Sequence, residues 1–120
     1  YCWRTIVNEG IPYAFGSDSP VCTSEVIKGI YCAVTRRDLA GSPPDGWMPE
    51  QKLTVRQAVH GYTLGAAFAA GAENRLGSIK VGKQADLAVL SDDIFAVPHD
   101  AIKDLRVRMT VLGGRIVYRE

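Results

Sequence analysis

Histidine is scarce in this chain: His60 and His99 are the only two. His60 falls inside a predicted helix, and His99 follows Pro98 in a stretch that reads as strand and loop. Neither stands at a strand end or in a two-histidine motif, so neither is read as a metal ligand. Cysteine is sparse as well. Cys2, Cys22 and Cys32 are an odd number without zinc-type spacing, and no disulfide framework can be drawn through them. They read as reduced, buried thiols of a cytoplasmic protein. There is no basic block: 14 basic residues face 13 acidic ones, and the densest basic spot is the pair Arg36-Arg37. Neither nucleic acid nor an anionic membrane surface is therefore expected as a partner. No apolar run is long enough to cross a bilayer, and no signal peptide, internal repeat or glycine-rich phosphate loop is visible. Gly77, Gly82, Gly113 and Gly114 read instead as turn residues.

What is present is an ordinary globular composition, 47% hydrophobic and 22% charged over 120 residues, enough for one small domain. The first residue is Tyr1, and Tyr1-Cys-Trp-Arg-Thr-Ile-Val7 already reads as the middle of a folded element. A piece of a longer protein is expected. The spacing of Trp3, Ile6 and Val7 predicts a helix over 1–9, stopped by Gly10 in a left-handed cap.

The stretch from Ile11 to Pro20 carries the strongest functional signal. Five mostly apolar residues run into Gly16-Ser-Asp-Ser-Pro20, which predicts a buried strand over 11–17. In sheets of this kind reactive groups collect where strands end. Asp18 stands at such an end and is the candidate catalytic residue, weighed against its being a turn or cap residue before Pro20.

Further on, a helix is expected to open at Thr23 or Ser24, with Glu25 in its first turn and Val26, Ile27, Ile30, Tyr31 and Val34 as a packing stripe. Arg36 and Arg37 would close its negative end. Residues 38–50 form a Gly- and Pro-rich loop carrying Trp47, either a binding loop or a surface excursion. Thr54-Val-Arg-Gln57 is a capping box for a helix that turns Leu53, Ala58 and Val59 inward. A break is expected at Gly61-Tyr-Thr63, then a helix of small residues from Leu64 to about Ala70. From 76 onward the pattern changes to strand period, with a strand over 85–91, a single helical turn near 100–104, and a hairpin at Gly113-Gly114.

The order of these features resembles the C-terminal end of the metal-dependent amidohydrolase superfamily. The resemblance rests on Gly16-Ser-Asp-Ser-Pro20, on Gly77-Ser-Ile-Lys-Val-Gly-Lys-Gln-Ala-Asp-Leu87 and on Val111-Leu-Gly-Gly-Arg-Ile-Val-Tyr118. It is closest to the long-chain branch that includes N-substituted formamide deformylase-like enzymes. It implies an α/β fold: the last strand and helices of a (β/α)8 TIM barrel over 1–75, then the C-terminal part of a small β-sandwich over 76–120. It implies that Asp18 is a metal ligand and proton shuttle for a metal-activated water cleaving a C–N bond. The cofactor would be one or two divalent metals, zinc by preference, with most ligands outside this chain. Asp86 would be structural. Arg36, Arg37 and Trp47 become candidate contacts for a small amide-like substrate. A second copy, through the exposed flanks of the strand, belongs to a non-catalytic alternative; the partner implied by the resemblance is the rest of the parent chain. On this reading the 120 residues alone are inactive; a non-catalytic folding or interaction module is the alternative.

Overall fold

A computed structural model describes residues 1–120 throughout. The first helix, α1 (Trp3–Asn8), ends as its glycine predicts. Gly10 takes φ 68°, its N–H donates to the Val7 carbonyl at 3.1 Å, and the Ile11 N–H donates to the Ile6 carbonyl at 3.2 Å. This is the Schellman arrangement, which satisfies the last carbonyls of a helix.

Residues 11–17 are extended but form no ladder with any strand. Within residues 1–120 the expected buried strand has no strand beside it and is half-buried. Tyr13, Phe15 and Ser17 are half-buried while Ile11, Ala14 and Gly16 are exposed. The segment therefore alternates, packing one face on a helix, and its backbone makes one bond to that helix, Phe15 N–H to the Gly61 carbonyl at 3.0 Å.

Helix α2 (Val26–Thr35) starts later than its sequence suggests. Glu25 is the N-cap rather than a first-turn residue, and its N–H donates to Thr23 Oγ1 at 3.3 Å. The predicted stripe is buried at Ile30, Tyr31 and Val34 and frays outward at Val26. The next helix, α3 (Val55–His60), carries the full capping box: Gln57 N–H donates to Thr54 Oγ1, and Thr54 N–H donates to Gln57 Oε1 at 2.9 Å. The expected break at 61–63 is absent. A π-helical turn, Gly61–Gly65, carries the chain straight into α4 (Ala66–Ala69). The Thr63 hydroxyl bonds back to the Val59 carbonyl at 2.7 Å instead of capping a new helix.

Three strands, β1 (Leu87–Leu90), β2 (Val107–Leu112) and β3 (Arg115–Arg119), form an antiparallel sheet in that order. Gly113 and Gly114 both have positive φ, as a two-residue hairpin requires. The Asp86 carboxylate accepts from the Gly113 N–H at 2.7 Å, tying the start of β1 to the hairpin tip. Lys83 Nζ donates to the Leu76 carbonyl and to Ser78 Oγ. Gly77, at φ 82°, lies so close to Ala67 and Leu64 that a side chain there would clash. These motif residues hold the turn between helix and sheet together.

One core joins the two parts. Ile30, Tyr31, Ala33 and Val34 of α2 pack with Leu53 and Ala58, and with Ile94 and Ile102 from beyond residue 76. The fold is thus α/β with a small three-stranded antiparallel sheet. The thiols are less buried than expected: Cys2 and Cys22 are exposed because they flank helices in irregular turns, and Cys32 is half-buried on α2.

Candidate active site

Asp18 ends the extended segment in the left-handed region, φ 53°. Asp tolerates that region better than most residues. Its carbonyl accepts from the Val21 N–H at 2.8 Å, which closes a tight turn, while its carboxylate is exposed and has no hydrogen-bond or ion-pair partner. A structural cap would use its side chain on a nearby N–H. The hydroxyl of Ser17 plays that part here, accepting from the Ser19 N–H.

The segment leading to Asp18 is fixed by aromatic contacts. Phe15 packs on Trp3 and on Tyr62, each with ring centroids 5.4 Å apart. Tyr13 packs on the His60 ring and its hydroxyl donates to the Gln57 carbonyl at 2.9 Å. Burial pushes the pKa values of Tyr13 and Tyr62 above the ordinary phenol value. Gly61 and Gly65 make the approach possible: a Cβ on Gly65 would overlap the Tyr13 carbonyl oxygen, and one on Gly61 would press on the Phe15 ring. His60 is thus a packing partner of Tyr13.

Arg36 occupies a different place from that of a mobile surface residue. It is the C-cap of α2 in the left-handed region, φ 59°, and is 7% exposed. Its guanidinium lies 4.5 Å from the Trp3 ring centroid and 4.8 Å from that of Trp47, and its Nε donates to the Trp47 carbonyl at 2.9 Å. The structure brings Arg36 and Trp47 together as a clamp on the 38–50 loop. Arg37 points elsewhere and pairs with Asp100 at 3.0 Å. Nothing in the sequence announces that pair, since the residues are 63 positions apart.

No three His, Cys, Asp or Glu side chains stand where they could hold a metal ion together. Asp18 offers one carboxylate, and one carboxylate does not make a metal site. No helix is long and apolar enough to cross a membrane.

Comparison with known proteins agrees with this architecture. The amidohydrolase family model (Amidohydro_3) matches residues 1–118. The chain belongs to the amidohydrolase family. It is 33% identical over 120 residues to the YtcJ protein of Bacillus subtilis, covering all of this chain and 23% of that protein. It is 30% identical over 115 residues to the N-substituted formamide deformylase of Arthrobacter pascens, covering 96% of this chain and 21% of the enzyme. Its fold matches the structure of atrazine chlorohydrolase TrzN from Arthrobacter aurescens, complexed with zinc. That match has a TM-score of 0.65 and 24% identity, over 97% of this chain and 27% of the other. The chain spans less than a quarter of the length of the two curated relatives.

Proposed function

We propose that this amidohydrolase chain carries the last carboxylate of a hydrolase site that cleaves C–N bonds of small, non-peptide amides or formamides. The observation that carries the reading is Asp18, an unpartnered, exposed carboxylate at the end of a segment held rigid by aromatic packing. A group that must take and release a proton gains from a fixed position and a free second oxygen. Asp18 would accept a proton at a carboxylate oxygen from the attacking water and deliver it to the departing nitrogen. An amide nitrogen leaves poorly unless protonated, so both halves of the transfer matter.

Asp18 would also be one donor to a divalent metal, zinc by preference, whose other donors lie outside residues 1–120. Such a metal, when bound, makes water more acidic. Residues 1–75 on this reading correspond to the closing strand and helices of a (β/α)8 barrel and 76–120 to part of a β-sandwich. The deformylase relative supports the formamide preference, and the zinc-bound neighbour of like fold supports the metal.

The test uses the full-length protein. Asp18→Asn keeps the shape and removes the base. The expected loss in the rate of N-substituted formamide hydrolysis is about 10²–10⁴-fold, the usual range for a positioned acid–base group. Bound metal is measured by mass spectrometry on the same samples. Activity of Asp18→Asn within a few-fold of wild type would sink the assignment.

A further inference from the structure

A second feature lies apart from Asp18. An open cavity of about 440 Å³ forms between the C-terminal end of α2, the Lys52–Val55 stretch and the His99–Asp100 turn. Its apolar floor is Val34, Leu53 and Val55. Its polar lining is lopsided: Arg4, Arg37 and Lys52 face one carboxylate, Asp100. Three observations show that the cations are under-used. Arg37 uses Nη1 on Asp100 and leaves Nη2 without a hydrogen bond, its side chain 26% exposed. The Lys52 ammonium has neither a hydrogen bond nor an ion pair, and the side chain is half-buried. Arg4 makes a single bond, from Nη1 to Gln57 Oε1 at 3.2 Å.

We propose that this cavity binds a small phosphate or phosphonate monoester with a short apolar group, held by Arg37 and Lys52 with Arg4 at the rim. The charge excess fits a dianion. The planar guanidinium of Arg37 suits tetrahedral oxyanions, offering adjacent N–H donors in one plane. The floor of Val34, Leu53 and Val55 takes the apolar group. Asp100 orients the Arg37 fork through one bond and repels the ligand; at 70% exposure that repulsion is screened. His99 borders the opening. Apart from Arg37, which the resemblance also offers as a contact for an amide-like substrate, this site uses none of the residues assigned to the hydrolytic reading.

The experiment is calorimetric titration of butylphosphonate into the full-length protein, at fixed ionic strength. One-to-one binding in the millimolar range or tighter is expected, with inorganic phosphate binding more weakly because it lacks the apolar group. Lys52→Gln removes an unpaired charge without breaking any bond, so it should fold normally and weaken binding about ten-fold. Arg37→Gln should do the same or more. Asp100→Asn should change affinity in the opposite direction, tightening it about two-fold, because the opposing charge is gone. Asp18→Asn should leave the affinity unchanged. The proposal is overturned by absence of saturable binding, by Lys52→Gln with wild-type affinity, or by binding that disappears with Asp18→Asn, which would assign it to the other site.

Discussion

The position of Asp18 depends on a contact that a single methyl group can destroy. Gly65 lies against the carbonyl oxygen of Tyr13, and a Cβ there would overlap that oxygen. The obstacle is backbone, so no side-chain rotation relieves it. Gly65→Ala must push the 11–17 segment away from the π-turn or distort the turn. Such overpacking costs about 1–3 kcal/mol. Moving the segment also stretches the Tyr13 hydroxyl bond to Gln57 and the Phe15 N–H bond to Gly61, now 2.9 and 3.0 Å. Each is worth about 1 kcal/mol. Replacing glycine by alanine in a helical position returns about 1 kcal/mol. The net expectation is a loss of about 2–4 kcal/mol if both bonds are lost.

Gly16→Ala is the matched control. It adds the same methyl two residues before Asp18, where nothing lies within 4 Å and φ is not in the left-handed region. It should be neutral or stabilise by about 0.4–1 kcal/mol through the unfolded chain. Urea midpoints of the full-length protein read the stability, and the formamide hydrolysis rate reads the site. A carboxylate displaced by about 1 Å should cost on the order of 10²-fold in rate. If Gly65→Ala and Gly16→Ala gave the same midpoint and the same rate, the claim that the helix positions Asp18 through Tyr13 would be refuted.

Ile102 is 0% exposed in the core, and Ile102→Ala should cost about 2–5 kcal/mol in chemical denaturation. A loss below that range would mean that the turn does not pack on α2 as described. Thr54→Ala deletes the capping box and should cost about 0.5–2 kcal/mol, whereas Thr54→Ser should largely keep it. Arg36→Met keeps bulk but loses the charge and the bond to Trp47, so chymotrypsin should cut the 38–50 loop faster, at Leu39 or Trp47; an unchanged digestion rate would refute the clamp. Burial, with smaller contributions from Asp38 and Cys22, pushes the Cys32 thiol pKa up. A raised folded-state pKa favours the protonated fold, so this contribution to stability is full below the unfolded thiol's pKa and lost as pH rises through the folded one. Iodoacetamide near pH 8 should therefore alkylate Cys2 and Cys22 before Cys32, and mass spectrometry of tryptic peptides gives the order.

Features set by a few consecutive residues were legible in the sequence. The Gly10 stop, the Thr54–Gln57 capping box and the Gly113-Gly114 hairpin each depend on a side chain and a backbone group within a few positions. The turn at Asp18 is local in the same way, closed by its own carbonyl and the Val21 N–H. The misreadings arose where distant contacts decide. Gly61-Tyr-Thr63 has the composition of a break, yet Gly61 and Gly65 of the π-turn serve a close approach to Phe15 and Tyr13, about fifty positions earlier. The run 11–17 has strand composition, and a ladder depends on what lies beside it, not on composition alone.

Arg36 shows why a site residue is hard to tell from a structural one by position alone. An arginine at a helix end, next to another and near a tryptophan-bearing loop, has the makings of a substrate contact. Its backbone is in a region that costs a non-glycine residue about 1–2 kcal/mol. A glycine would remove that strain and would lose both tryptophan faces and the bond to Trp47. Each such face is worth about 0.5–2 kcal/mol, and the charged bond about 1.5–3. The clamp therefore outweighs the strain, and Arg36 is better explained by the loop that it holds than by a ligand. The chain has only two tryptophans, Trp3 and Trp47, and both lie against this guanidinium. Their positions, 33 residues before Arg36 and 11 after it, give no periodic signal, because folding alone brings them to one side chain. Arg37, the neighbouring residue, has the opposite balance: one side-chain partner, Asp100, and an Nη2 with no bond. Of the two arginines it is Arg37 whose chemistry is left for a ligand.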